Sequence, residues 1–583
     1  MIKNIMVITV DGIPKTFFGR SINRDICPYL NKLMYKGYFA NNAYSMGPYT
    51  EAAVVSYYYG KPTLDDGGYL FQMLDIKGSF FEEAIDTSRK IFHTYYASSM
   101  PIELYNSQGY SYNINYANPY FSRFFMGKLS YFKNIYDKNK FNDRDKVTVE
   151  RILQSFFDIM LPYGDKESKI NDYTQNNIFI DTLKRKQFIE QWRKDVYQER
   201  DLFYADKNKY IEELFDNYDN HFLINGCYIK EVEYSKSYKE VLEKRNLKPL
   251  LKEINKLNTK YFIKRFGELN GDIPYKLLTS SDRMKYLRQI CKASYKTDYT
   301  KMLNMDSDQV TSSAKHMIED FLAWERTNNE PYLAYLHFDE FHCPISFLTH
   351  EELVDEEIEN VREYLDNIDK NYSGNIPFDL AARYLDKCIQ YLFEQKPELL
   401  RDNYVIITTD HGIATSDGVV RPELNNWFCD ETYHIPFLLI GDEVEPQIEQ
   451  RFINSIDINQ IIRSLIKDEK PRLDKYGREF ILTEYAGSGV PDIQRREILF
   501  GYRSEEISYC IKIELEKEFN EYEVLCYYNL KNDPRERKNL SKSVKMENLV
   551  NIHEIEKRFI ELKKNYISWI SDENDCFLGG YRC

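Results

Sequence analysis

Residues 403–412 read NYVIITTDHG, an apolar run that ends abruptly in an acid, an imidazole and a glycine. Four to eight apolar, β-branched residues bounded by turn residues are the mark of a fully buried strand. Similar runs lie on both sides. PYLAYLHFDEFH (331–342) begins as a buried strand, and HIPFLLIG (434–441) is another. Between them, FDLAARYLDKCIQYLFEQ (378–395) has apolar residues at helical spacing. Strands alternating with amphipathic helices predict an α/β fold with a mainly parallel central sheet flanked by helices.

The N-terminus repeats the pattern. In MIKNIMVITVDG the run from Ile5 to Val10 is a buried first strand that stops at Asp11-Gly12. A helix is expected from Pro28 in PYLNKLMYKG, with Gly37 as its stop, followed by a short strand near YFANNAY. Residues 96–330 differ. Stretches such as KRKQFIEQWRKDVYQERDLF (184–203) predict a mostly helical insertion that selects the substrate. From 481 to 583 short alternating runs predict a small antiparallel sheet with a terminal helix near IHEIEKRFIELKKNYISWI. Residues 1–95 and 331–480 then form the α/β core.

Composition narrows the class. The chain has 583 residues, 43% hydrophobic and 29% charged, which suits a globular protein with insertions. Its net charge of −14 argues against a general nucleic-acid binder. No run of 18 or more apolar residues predicts a transmembrane helix. The first apolar run is too short for an export signal, and the ten cysteines show no CxxC pairing. Reduced thiols and a cytoplasmic location are the expectation.

In parallel sheets ligands bind outside the carboxyl ends of the strands. Asp11, Asp339 and Asp410 each follow an apolar strand, so three carboxylates can converge there. Read alone, Asp410-His411 is either a polar turn closed by Gly412 or part of a metal site. Asp11-Gly12 is likewise a turn or a ligand. His337, Asp339 and His342 cluster at one strand exit, with His342 better placed than His337 to face a pocket; His434 is a core histidine or a site residue. In GPYTEAAVVSYYYGK (47–61), Thr50 is a favoured helix N-cap, and a hydroxyl there sits where helix N–H groups attract anions.

The order of these features resembles the alkaline phosphatase superfamily, in its sulfatase-like branch. The resemblance rests on Asp11-Gly12, CPYLNKLMYKGYFANNAYS, the Thr50 segment, HFDEFHCP, YLDKCIQYLFE before TTDHG, HIPFLLIG, and YYNLKNDPRERKNLS (527–541). It covers roughly residues 1–95 and 331–545. Sulfatases place a Cys or Ser ten residues before a Gly-basic pair and follow it with x-Pro-x-Arg. Counting back from Gly60-Lys61 lands on Thr50, followed here by Glu51, Ala52, Ala53 and Val54. The pattern is closer to the threonine-nucleophile members, such as phosphoglycerol and phosphoethanolamine transferases and nucleotide pyrophosphatase-like phosphodiesterases.

The resemblance implies that Asp11, Thr50, Asp410 and His411 hold one divalent metal ion (Mn, Mg, Zn or Ca). Sulfatases carry a second acid where this chain has Gly12. A second metal would have to draw on Asp339 with His342 or His434. Thr50 and His342 would be catalytic, His342 on the substrate anion. Lys61, His337, Asp339 and His434 would support the ligands or bind substrate. The implied activity is a metal-dependent phosphoryl hydrolase or transferase acting on a phosphate- or sulfate-bearing small molecule or glycan, as in polysaccharide biosynthesis. The alternatives are a sulfatase that works without formylglycine and an inactive glycan-binding relative.

Overall fold

The computed structural model describes residues 3–18, 26–65, 78–95, 111–115, 129, 132–143, 145–146, 149–150, 153, 157, 182–226, 246–269, 314–338, 340–341, 344–349, 355–368, 372, 375–413, 428–470, 472–485, 497–544 and 549–571. Eight strands form the main sheet: β1 (Asn4–Val10), β2 (Tyr38–Tyr44), β3 (Lys90–Tyr95), β4 (Ser111–Asn115), β5 (Tyr332–Phe338), β6 (Asn403–Thr408), β7 (His434–Ile440) and β8 (Gln447–Asn454). Their order is β4-β3-β5-β1-β6-β7-β2-β8. Every neighbouring pair is parallel except the two that involve β7, which runs against both β6 and β2. β4 lies inside the segment expected as a mostly helical insertion, yet it pairs with β3 at the sheet edge.

β1 is central, between β5 and β6. Its register pairs Thr9 with His337 on one side and with Thr408 on the other. The two flanking strands therefore leave the sheet at the same edge as β1. β7 arrives at that edge from the opposite direction: His434, its first residue, pairs with Tyr44, the last residue of β2.

The side chains of β1 divide by the two-residue period of a strand. Ile5 and Val7 enter one core, and Met6, Ile8 and Val10 enter the other. The first core packs under α2 (Thr50–Tyr59) and α3 (Phe80–Asp86). In the middle insertion, α4 (Thr182–Ala205), α5 (Lys207–Asp216) and α6 (Lys248–Leu269) are helical, as their sequences predict. The second core lies under α1 (Pro28–Met34), α7 (Ala314–Glu325) and α9 (Ile376–Gln395), with α8 (Asp355–Asp366) beside them. α1 starts at a proline and stops at Met34, before Gly37. Its N-cap residue supplies no side chain. Asp386 of α9 does so instead, accepting from Tyr29 N–H at 3.0 Å and Leu30 N–H at 2.7 Å.

α2 is buried nearly all round: Ala52, Ala53, Val54, Val55, Tyr57 and Tyr58 lie in the core. A helix apolar on every side belongs inside a protein. α10 (Ser455–Ile466) holds its far end. Asn459 donates to the Tyr57 and Tyr58 carbonyls at 2.9 and 2.8 Å, where the helix would otherwise leave acceptors unsatisfied. Gly60 ends the helix at φ +69°, and an added Cβ would sit 2.5 Å from Asn459 Oδ1.

The C-terminal region forms a second sheet, antiparallel, in the order β12-β11-β10-β9, from β9 (Phe480–Tyr485), β10 (Glu497–Ser504), β11 (Ile507–Glu514) and β12 (Glu523–Asn529). α11 (Ile552–Ser571) follows it. Arg558 of α11 grips Glu484 at 2.7 Å and Asp65, beyond α2, at 2.6 Å. No helix among the described residues is long and apolar enough to cross a membrane.

Candidate active site

Three of the expected ligands meet at the carboxyl edge of β1 and β6. Asp11 continues the β1 ladder by donating its N–H to the Phe338 carbonyl at 2.8 Å. Gly12 then turns at φ +76°, a region that costs a side-chain residue strain. An added Cβ there would also meet Ile413 at 2.5 Å. The turn aims the Gly12 N–H at Asp410 Oδ1, 3.4 Å away.

Asp410 is almost fully buried. Its Oδ1 also accepts the His411 N–H at 2.9 Å and lies 3.1 Å from the Thr409 hydroxyl. Its Oδ2 is buried with no hydrogen-bond partner among the described residues. His411 Nδ1 lies 2.7 Å from the Gly412 carbonyl, which can only accept. That contact puts the proton of a neutral ring on Nδ1 and leaves the Nε2 lone pair facing the cluster. Nε2 is 3.5 Å from Asp11 Oδ1 and 3.6 Å from Asp410 Oδ2.

Thr50 completes the group from α2. Its hydroxyl donates to Asp11 Oδ2 at 3.1 Å and lies 3.2 Å from His411 Nε2. The expectation that Thr50 caps the helix is corrected. Tyr49, extended at φ −153° and ψ 164°, is the N-cap residue, and its side chain makes no capping bond. Thr50 is the first helical residue. One step into the helix, its hydroxyl points away from its own backbone and across to Asp11 and His411.

Ligand atoms of Asp11, Asp410 and His411 all lie within 4.8 Å of one another. Two carboxylates packed this closely repel, and Asp410 Oδ2 has no donor. A cation answers both conditions. Oxygen ligands with one imidazole suit Mg, Mn or Zn. The donor set therefore fits the divalent metal expected for it, with His411 oriented by the Gly412 carbonyl.

The other expected site residues fall differently. His337 is buried within β5, with Nε2 3.7 Å from Asp11 Oδ2, so it stands beside that carboxylate. His434 reaches the same edge of the sheet, but both ring nitrogens are engaged: Nδ1 with Asp430 at 3.1 Å and Nε2 with the Asn41 carbonyl at 2.8 Å. Its ring stacks on Tyr44 at 4.5 Å. Lys61 is exposed beyond Gly60, at the opposite end of α2 from Thr50. Ten residues at 1.5 Å each separate the two by about 15 Å. Asp339 and His342 lie outside the described residues.

Thr409 was not among the expected residues. Its hydroxyl lies against the Val10 carbonyl, 2.7 Å from the His411 carbonyl and 3.1 Å from Asp410 Oδ1. It links the exits of β1 and β6. A small hydroxyl directly before an acid at a strand end was the available signal.

Beside the site, Asp430 joins the two sheets. Arg503 of β10 bonds it at 2.9 Å and also pairs with Glu536, while the Tyr44 hydroxyl donates to it at 2.7 Å. Burial pushes the Asp430 carboxyl up, but the Arg503 guanidinium and His434 outweigh it and hold the group well below the usual carboxylate range.

Residues 272–465 match the family model described as Sulfatase. The match covers about a third of the chain. The matched span includes Asp410, His411 and His434, while Asp11 and Thr50 precede it and reach the site from β1 and α2. No curated protein matches the sequence. Several solved structures are similar at low identity. A protein in the alkaline phosphatase superfamily from Vibrio parahaemolyticus is 11% identical, covering 97% of this chain and 87% of its own, with a TM-score of 0.46. The phosphonate monoester hydrolase of Agrobacterium radiobacter is 11% identical, covering 97% and 96%, with a TM-score of 0.43. The lipoteichoic acid synthase LtaP from Listeria monocytogenes is 10% identical, covering 97% and 92%, with a TM-score of 0.42.

Proposed function

We propose that this chain is a metal-dependent phosphoryl hydrolase or transferase with Thr50 as its nucleophile, acting on a phosphate ester borne by a glycan or its precursor. The observation that carries this reading is the Thr50 hydroxyl, 3.1 Å from Asp11 Oδ2 and 3.2 Å from His411 Nε2, on the first residue of a buried helix. Asp11, Asp410 and His411 would hold a divalent metal, whose chemistry is to favour the threonine alkoxide and offset charge on the phosphoryl oxygens.

The protein's own groups do the rest. Asp11 receives the Thr50 hydroxyl proton along the hydrogen bond already formed. The first N–H groups of α2 lack intrahelical acceptors and are suited to an anion. Thr50 Oγ1 bonds to phosphorus, the bond to the leaving oxygen breaks, and that oxygen takes up a proton. Water or an acceptor hydroxyl then attacks phosphorus and frees Thr50. His342, in the role implied by the resemblance, binds a non-bridging oxygen or assists the leaving group.

Thr50→Ala should lower kcat/KM on aryl phosphomonoesters and phosphodiesters by about a thousandfold or more, with Thr50→Ser retaining part of the rate. An acid-quenched digest of the wild type should contain phosphothreonine at position 50. Full turnover by Thr50→Ala overturns the reading. Faster turnover of an aryl sulfate than of the matched phosphate favours a sulfatase that works without formylglycine.

A further inference from the structure

A single helical turn, Asp430–Tyr433, touches both halves of the candidate site. Its backbone carbonyls hold them. The Thr432 carbonyl accepts the Gly412 N–H at 2.8 Å, and the Tyr433 carbonyl accepts the Ser45 N–H at 2.7 Å. Gly412 is seated so tightly that an added Cβ would meet the Glu431 carbonyl oxygen at 1.9 Å. On one side, Gly412 is the residue whose carbonyl aims the His411 ring. On the other, the Ser45 hydroxyl donates to the Gly47 carbonyl at 2.8 Å, and Gly47 rests on α2. A Cβ added to Gly47 would stand 2.7 Å from that of Ala52, in the same turn of helix as Thr50.

The turn is gripped from the C-terminal region. Glu536 accepts the Asp430 N–H at 2.9 Å. Arg503 of β10 pairs with Glu536 and bonds the Asp430 carboxylate at 2.9 Å. Glu536 belongs to the stretch NDPRERKNLS (532–541), which takes no part in the chemistry above. Asn539 pins that stretch to β12: it accepts the Tyr527 N–H at 3.1 Å and donates to the Leu525 carbonyl at 2.9 Å. Glu536 itself is buried at φ +54°, a left-handed backbone that a side-chain residue seldom adopts. Such a conformation persists only where the surroundings hold it.

We propose that Arg503 and Glu536 are positioning residues: through Asp430 they fix the turn, and the turn fixes the 3.2 Å spacing between Thr50 Oγ1 and His411 Nε2. This rests on the metal-assisted, Thr50-centred reading above. Both residues act through backbone that they hold, without contact to Thr50 or His411. Removing the guanidinium or the carboxylate leaves a charge without its partner, so the turn must shift to resettle it. The shift reaches Gly412 and Ser45 together, because both hang on its carbonyls. Misplacing a reacting group by about 1 Å can cost about 100-fold in rate. Loss of the group that orients a metal ligand weakens metal binding by about 10- to 100-fold.

The test is calorimetric titration of Mn²⁺ into the full chain, for wild type, Arg503→Met, Glu536→Gln and a control, Arg558→Met. The control breaks a bridge of the same kind, to Glu484 and Asp65, that joins the C-terminal region to the core elsewhere. Glu536→Gln preserves shape and an acceptor for the Asp430 N–H, so it remains testable where Arg503→Met fails to fold. Both positioning variants should bind Mn²⁺ about 10-fold more weakly. Their kcat on an aryl phosphate should fall by about 10- to 100-fold with KM little changed, since the loss is in alignment and not in substrate binding. Arg558→Met should lose stability but keep the wild-type Mn²⁺ affinity and kcat. Unchanged Mn²⁺ affinity in Glu536→Gln overturns the proposal, as does an equal loss in Arg558→Met, which marks a general effect of instability. Thr50→Ala separates the two ideas. If it keeps full turnover while Glu536→Gln loses Mn²⁺, the nucleophile assignment fails and the positioning role stands; if it is inactive while Glu536→Gln binds Mn²⁺ normally, the positioning role alone fails.

Discussion

Asp410→Asn inverts the stability of the protein with and without metal. The substitution preserves shape and the acceptor Oδ1, which takes N–H groups from His411 at 2.9 Å and Gly12 at 3.4 Å. It replaces the partnerless Oδ2 with an amide donor and removes one of two carboxylates whose ligand atoms lie within 4.8 Å. At an effective dielectric of about 20, that repulsion amounts to roughly 3 kcal/mol. If about 2 kcal/mol survives relaxation, at about 2–4 °C per kcal/mol, the variant should melt roughly 4–8 °C above wild type in EDTA. Metal reverses the order. Wild type gains about 2.7 kcal/mol when free Mn²⁺ reaches a hundred times its dissociation constant, and the variant gains little. Differential scanning calorimetry of both proteins in EDTA and in Mn²⁺ should show the curves exchange places. A lower melting temperature for Asp410→Asn in EDTA, or an equal Mn²⁺ shift in both proteins, would refute the assignment of this cluster to a cation.

Two other perturbations probe the frame around the site. Asp457, in the capping box of α10, is buried, and burial outweighs Arg478 and the Asn454 N–H to push its carboxyl up to about 6. The folded state thus holds this proton above the unfolded value of 3.8, so its contribution to stability is full below that value and is lost as pH rises towards 6. Relative to Asp457→Asn, wild type should lose about 3 kcal/mol between pH 4 and 7 in urea titrations, and a flat difference would dismiss the effect. Arg503→Met strands the half-buried Asp430 and the buried Glu536 and should cost about 3 kcal/mol, with Arg503→Lys recovering part. A loss under about 1 kcal/mol by the same titration would show that this bridge does not hold the two sheets together.

Much of the candidate site was legible because its acids follow strands. Asp11 and Asp410 each end an apolar run, and the alternation of strands with helices implies a parallel sheet whose carboxyl edge gathers them. Those inferences need only local pattern and the two-residue period of a strand. The antiparallel direction of β7 was not readable, since HIPFLLIG presents the same buried pattern whichever way it runs. That reversal brings His434 to the carboxyl edge of β1 and β6, where Asp430 and the Asn41 carbonyl occupy its nitrogens.

Thr50 shows the division most clearly. Its ten-residue spacing from Gly60-Lys61 marked it before any geometry was known, but the same local signals suggested a helix cap. Whether a hydroxyl closes its own helix or reaches a carboxylate thirty-nine residues earlier depends on where the helix begins and on what stands opposite it. The β1–β6 register and the turn at Gly12 set that opposite wall. By itself the sequence marked which residues are suited to chemistry and the sheet they end. The tertiary structure decided which of them meet, because hydrogen-bond reach is about 3 Å and only long-range packing positions groups that finely.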